Sequence, residues 1–166
     1  MPSKIKKFTF GGWIFFTSLV LSNLVVAQTD QITLPDCSDA YASPDCLQPS
    51  NHQMVPINIL GVTDPDGTPV TIRVIYITSD EPTATDKGSG GKHYAPDASG
   101  VGTDTPLLRS ERSANGYGRV YVINFVANVE PGVGCIGSVV VHVPKNTSSG
   151  CPAVDSGQKY IATEIN

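Results

Sequence analysis

Two apolar alternations in the C-terminal half constrain this chain most. Tyr121, Ile123, Phe125 and Ala127 share one phase of a long run, and Cys135, Gly137, Val139, Val141 and Val143 share one phase of the next. A period of two places each set on one side of a strand. β-branched residues dominate both runs, as a pleated, half-buried surface favours. Farther upstream, Val70, Ile72, Val74 and Tyr76 are apolar throughout, while Thr71, Arg73, Ile75 and Ile77 begin polar and turn apolar. That pattern predicts a strand whose far end is covered on both faces. No apolar set at helical spacing persists for three turns after the first 27 residues. The expectation is an all-β chain, an antiparallel β-sandwich.

Turn signals divide the strands. Asp64-Pro65-Asp66-Gly67 has the acid, proline and glycine of a type I turn at their favoured places. It would join a strand near 54–62 to one near 69–78. Asn115-Gly116 predicts a tight hairpin between strands at 107–112 and 119–128, and Pro131-Gly132 marks the next corner. Two stretches are less regular. Residues 28–50 hold two cysteines and three prolines, and residues 79–104 form one long Gly/Asp-rich loop. Loops of that length are uncommon in compact domains and are often functional.

The N-terminus has the layout of a secretory signal: a basic opening (Lys4, Lys6, Lys7), an apolar run from Phe8 to Leu24, and Val25-Val26-Ala27 before Gln28. A retained membrane anchor is the alternative reading of the same run. The expected organisation is a signal peptide over 1–27, an irregular segment over 28–50 and the sandwich over 51–166. Removing those three lysines from eleven basic residues leaves eight against fifteen acidic ones, a net charge of about −7. So acidic a surface argues against nucleic acid and anionic membranes, which need cationic patches. An extracellular protein or a glycan is the expected kind of partner. Cys37, Cys46, Cys135 and Cys151 all follow the signal, and an even count in a secreted chain predicts two disulfides. Number alone leaves three connectivities open. Zinc is disfavoured because no Cys-x-x-Cys pair exists.

Several segments together resemble a bacterial secreted module of immunoglobulin-like type, related to hyalin-repeat and polycystic-kidney-disease domains. They are Leu47-Gln48-Pro49-Ser50-Asn51-His52-Gln53-Met54 with Val55-Pro56, then Gly61-Val62-Thr63-Asp64-Pro65-Asp66-Gly67 and Pro69-Val70-Thr71-Ile72. Asp80-Glu81-Pro82, Glu111-Arg112-Ser113 and Gly118-Arg119-Val120-Tyr121 with Phe125 follow. Cys135-x-Gly137-x-Val139, Val143-Pro144-Lys145-Asn146 and Ala153-Val154-Asp155 complete the set. The chain departs from the pattern at Gln48, where the family carries Trp, and at Ala127-Asn128-Val129, where relatives often read Ala-Thr-Asp. The resemblance implies an immunoglobulin-like sandwich serving as an adhesive, spacer or binding unit and not as an enzyme. It also implies the pairs Cys37–Cys135 and Cys46–Cys151. The local pairing, Cys37–Cys46 with Cys135–Cys151, is the rival.

Candidate chemistry lies in the loops. Gly88-Ser89-Gly90-Gly91-Lys92-His93 invites a phosphate-loop reading, but Asp86 stands where the first glycine belongs and His93 where Ser or Thr belongs. Calcium is the better candidate, since it takes six to eight oxygens, which loop carboxylates and carbonyls supply. The candidate ligands are Asp64, Asp66, Asp80, Glu81 and Asp104, with Asp86 and Asp97 in the same loops. Turn formation and pairing of Glu81 or Glu111 with Arg109, Arg112 or Arg119 compete for the same groups. Tyr94 in the long loop and Tyr117 at the expected hairpin tip are candidate binding aromatics. His52, His93 and His142 are too dispersed to predict a metal or catalytic centre, and His52 suits a structural tie between a loop and the sandwich. The function expected is a secreted non-enzymatic binding or structural module. The alternative is a carbohydrate-binding module braced by calcium.

Overall fold

A computed structural model describes residues 33–85, 91–146 and 150–166. The signal-like stretch 1–27 lies outside these residues, as does Asp86. Nine strands follow one another: β1 (Tyr41–Ser43), β2 (Met54–Pro56), β3 (Asn58–Leu60), β4 (Thr71–Ser79), β5 (Ala98–Ser99), β6 (Leu107–Arg109), β7 (Arg119–Glu130), β8 (Val133–Val143) and β9 (Tyr160–Ile161). A 3-10 turn, Gly91–His93, precedes β5. The strands form three antiparallel sheets, ordered β1-β3, β2-β6-β5 and β8-β7-β4-β9. The described residues are all-β, as the periodicity predicts.

The core follows the alternation of the two longest strands. Tyr121, Ile123, Phe125 and Ala127 of β7 are buried, and so are Val139, Val141 and Val143 of β8. They form one apolar cluster with Val74 and Ile77 of β4, and with Ala42, Leu47, Ile57, Ile59, Ala98 and Leu108 from the smaller sheets and their connections. β7 and β8 pair over their whole length and turn at Pro131-Gly132. The turn at Asp64 also forms: Gly67 N–H donates to Asp64 O at 3.0 Å.

Four expectations need correction. The run 54–62 is not one strand. Pro56 has no N–H to continue the ladder, so β2 ends there and pairs with β6, whereas β3 pairs with β1. Asn115-Gly116 does not close a hairpin, because β6 and β7 belong to different sheets. β4 is not covered on both faces at its end. Its pairing with β7 slips between Val74 and Tyr76, and this bulge moves one extra residue into the strand. Val74 and Ile77 therefore both face inward, while Tyr76 stays 45% exposed. Finally, residues 33–50 are not merely irregular, since they supply β1 and bury Ala42 and Leu47. The described residues belong to one compact unit, Ile32–Asn166.

Both disulfides are formed, Cys37–Cys135 and Cys46–Cys151. This is the pairing implied by the resemblance and not the local alternative. It ties the N-terminal segment to the start of β8 and to the chain beyond its end. Two such bridges fit an oxidising, extracellular or periplasmic location. Among the described residues, no helix is long and apolar enough to cross a membrane.

Candidate functional site

The long loop is built around an arginine. Position 119 is in phase with Tyr121 and Ile123, so the strand turns a guanidinium toward the interior. Arg119 is fully buried. A buried cation must find anions and acceptors, and the loop supplies them. Arg119 Nη1 bonds the carboxylate of Asp97 and donates to Tyr121 Oη at 2.9 Å. Its Nη2 donates to Pro82 O at 2.8 Å, and its Nε donates to Glu81 Oε2 at 3.4 Å. Tyr121 Oη then donates to Arg109 O at 3.0 Å. Burial pulls against the charge of Arg119, but Tyr121 and Asp97 beside it hold the group protonated far into the basic range. Burial also pushes the Tyr121 hydroxyl well up.

Other bonds fix the rest of the loop. Asp80 accepts from Val120 N–H at 2.8 Å and from Ser156 N–H at 3.0 Å. Glu81 accepts from Ser113 N–H at 2.6 Å. Gly116 passes so close to Glu81 that a Cβ there would collide with Oε1. That is why a glycine stands at 116, although no hairpin forms. The segment after β9 completes the frame: Thr83 donates to Glu164 O, Ala84 N–H to Asn166 O, and the N–H groups of Asp97 and Ala98 to Ala162 O. Residues 79–84 and 91–99 are thus held at both ends of the loop.

Above this network lies a more open cluster. His52, whose side chain is about one-third exposed, meets Glu111 Oε2 through Nδ1 at 2.6 Å. Its φ of 63° turns the chain so that the ring reaches back. The ring stacks on Tyr94 at 4.3 Å between centroids, and Arg109 lies 5.7 Å from the Tyr94 centroid. Arg109 also donates to His52 O at 2.8 Å and to Pro96 O at 3.1 Å. His52 therefore ties its segment to the loop, as its position in the sequence suggests. The Glu111 carboxyl thus occupies Nδ1 of the ring.

Burial pushes the Glu111 carboxyl above its ordinary value of 4.5; the contact with His52 opposes this and nearby Asp97 adds to it. A raised folded value means that the folded chain keeps a proton which the unfolded chain releases. This contribution to stability is present at low pH and is lost as pH rises through the folded value. Glu111→Gln cannot titrate. The stability of the native chain minus that of this variant is therefore expected to fall, in denaturant melts, as pH rises above the ordinary carboxyl value of 4.5. A flat difference would show that the carboxyl is not shifted.

The carboxylates proposed for calcium are dispersed into local tasks. Asp64 accepts from the N–H groups of Asp66 and Thr68 and so closes its own turn. Asp66 accepts from Thr33, and Asp104 from Thr105. Asp80 and Glu81 stand side by side in the loop frame, bonded as described above. Among the described residues, no three His, Cys, Asp or Glu side chains converge as metal ligands. The two aromatics also part company. Tyr94 packs onto His52, whereas Tyr117 is 71% exposed with Lys145 Nζ 5.6 Å from its ring centroid. The expected pairing of Glu81 with Arg119 forms; Asp97 and Tyr121 as further partners are not indicated by the sequence, although an arginine in phase with buried Tyr121 is the available signal. No family model, no curated protein and no solved structure matches the chain.

Proposed function

We propose that the chain is a secreted, non-enzymatic extracellular module that binds a protein partner or holds others apart, with an immunoglobulin-like β-sandwich as its frame. The observation that carries this reading is the use made of the polar side chains. Arg119, Asp97, Glu81 and Asp80 are buried and turned toward one another or toward backbone. Their work is to hold residues 79–84 and 91–99 in one shape. Rigid loops on a β scaffold suit recognition, because ordering costs less when the partner arrives. A four-stranded sheet and two smaller ones sharing one core favour the sandwich, and the segments resembling hyalin-repeat and polycystic-kidney-disease domains agree with it.

A carbohydrate-binding role is the second reading, and Tyr117 favours it. Its exposed ring beside Lys145 offers a flat apolar face with a donor next to it. The test is capture from the producing cell's surface fraction, run beside a glycan array, with the oxidised chain and Tyr117→Ala. A discrete protein captured by both chains supports the first reading. Glycan binding that is lost in Tyr117→Ala would replace it with the second.

A further inference from the structure

We infer that Asn115 is a self-modification site: its side-chain amide is lost through a cyclic imide closed by the main-chain nitrogen of Gly116, leaving aspartate or isoaspartate. The chain contains one Asn-Gly pair. Glycine has no Cβ, so nothing shields the nitrogen that follows the asparagine. In a tight hairpin the ladder would hold such a pair. Here β6 and β7 lie in different sheets, and the pair sits in the connection between them. Asn115 is exposed. Among the described residues its side-chain amide makes no hydrogen bond; its main-chain N–H donates to Ser113 Oγ at 3.3 Å. Gly116 N–H meets no acceptor among the described residues either. The side chain can therefore swing over its own main chain, and the attacking nitrogen can give up its proton, without breaking a bond within the protein.

Other asparagines are held. Asn124 and Asn128 stand in the β7 ladder. Asn58 donates to Ser43 O at 3.5 Å, and Asn51 Oδ1 accepts from Gln53 N–H at 3.1 Å. Each of the four is followed by a residue with a side chain. Asp66-Gly67 is the nearest comparison, since an acid before glycine can close the same imide. There the nitrogen is engaged: Gly67 N–H donates to Asp64 O at 3.0 Å. The glycine at 116 is also fixed by the fold. A Cβ at that position would collide with Glu81 Oε1, so the larger residue that would slow the reaction does not fit.

The chemistry balances with water as the co-reactant. Gly116 N loses its proton to solvent and bonds Asn115 Cγ. The Cγ–Nδ2 bond breaks, and ammonia leaves with a proton. Water then opens the imide. Opening at Cγ gives aspartate, and opening at the main-chain carbonyl gives isoaspartate, whose main chain is one atom longer. Either product sets a new carboxylate just ahead of exposed Tyr117, whose ring lies beside Lys145. The modification therefore changes the charge of the loop that carries this aromatic.

The experiment is timed incubation of the oxidised chain at mildly alkaline pH, followed by tryptic mapping and mass spectrometry of peptide 113–119. That peptide is expected to gain the mass of an amide becoming an acid and to separate into aspartyl and isoaspartyl forms. Conversion at Asn115 is expected to be at least about tenfold faster than at Asn51, Asn58, Asn124 or Asn128. Asn115→Gln keeps the amide but lengthens the side chain, and it should stop the reaction. Asp66→Asn creates a second Asn-Gly pair whose glycine N–H is bonded. It should convert about tenfold more slowly than Asn115 in the folded chain, and at a comparable rate once the chain is reduced and unfolded in urea. An Asn115 that survives in the folded chain but converts in the unfolded one overturns the proposal. Equal rates for the two pairs in the folded chain also overturn it, because the fold would then not select Asn115. An acid at 115 without any isoaspartyl form would mean direct hydrolysis, and the imide route would fail.

Discussion

Arg119→Met is expected to cost about 3–5 kcal/mol of folding stability, the usual cost of removing one partner from a buried charge pair. The side chain is fully buried and so is Asp97. Methionine fills comparable volume and keeps the apolar contacts. What disappears is the cation, leaving Asp97 and Glu81 in the interior with fewer donors. Burial already pushes the Asp97 carboxyl up, against the pull of Arg119 and Arg109. Without Arg119 it rises further. The loss should therefore be largest at neutral pH and shrink in acid, where the Asp97 carboxyl becomes neutral. Arg119→Met with Asp97→Leu removes charge of both signs and should recover part of the loss, since apolar replacements of buried pairs are often tolerated. Denaturant melts of the three chains at two pH values decide the matter. A loss below about 1 kcal/mol in Arg119→Met would mean that the pair is no better than a surface bridge.

That arginine also marks the limit of what the residues disclose on their own. The inward sets of β7 and β8 are legible because every second residue is apolar and every one from Tyr121 to Ala127 is buried. The turns at Asp64–Gly67 and Pro131-Gly132 are legible because each needs only local chemistry. β4 is harder. Tyr76 and Ile77 are both apolar, so alternation cannot reveal that the bulge before Tyr76 exchanges which of them faces inward. Asn115-Gly116 carries a strong hairpin signal, yet Gly116 is required by the approach of Glu81, a partner 35 positions away. The same holds for the site. Asp97 reads as a loop acid open to a metal, because nothing local reveals the guanidinium beside it, although Glu81 already has Arg119 among its expected partners. His52 was legible as a tie, but Glu111, its partner, was not. Long-range pairs of polar groups are set by how sheets close on one another, and period and turn chemistry do not encode that.

Removing either disulfide alone is expected to cost roughly 3–4 kcal/mol, and removing both about 8 kcal/mol, on chain-entropy grounds. The sequence separations are 98 and 105 residues. Taken singly, loops of that length would each constrain the unfolded chain by nearly 5 kcal/mol. The two loops overlap, however. With one bridge in place, the other closes only a short ring that runs from Cys37 to Cys46, across to Cys151 and back to Cys135, about 25 residues in all. Either bridge is therefore worth less when the other is present, and the cost of losing both exceeds twice the cost of losing one. Packing adds to the entropic effect at Cys37–Cys135, where Cys37 lies against Gly137 and both sulfurs' residues border the core. Cys37→Ala with Cys135→Ala should accordingly be the more harmful pair. Because a whole domain is stable by only about 5–15 kcal/mol, reduction of both bridges should unfold the chain near room temperature or close to it. Urea melts of the two double-alanine variants and of the fully reduced chain measure all three costs. If each single removal costs the full amount for a loop of about 100 residues, and the two simply add, the bridges act independently and the shared ring does not constrain the unfolded state.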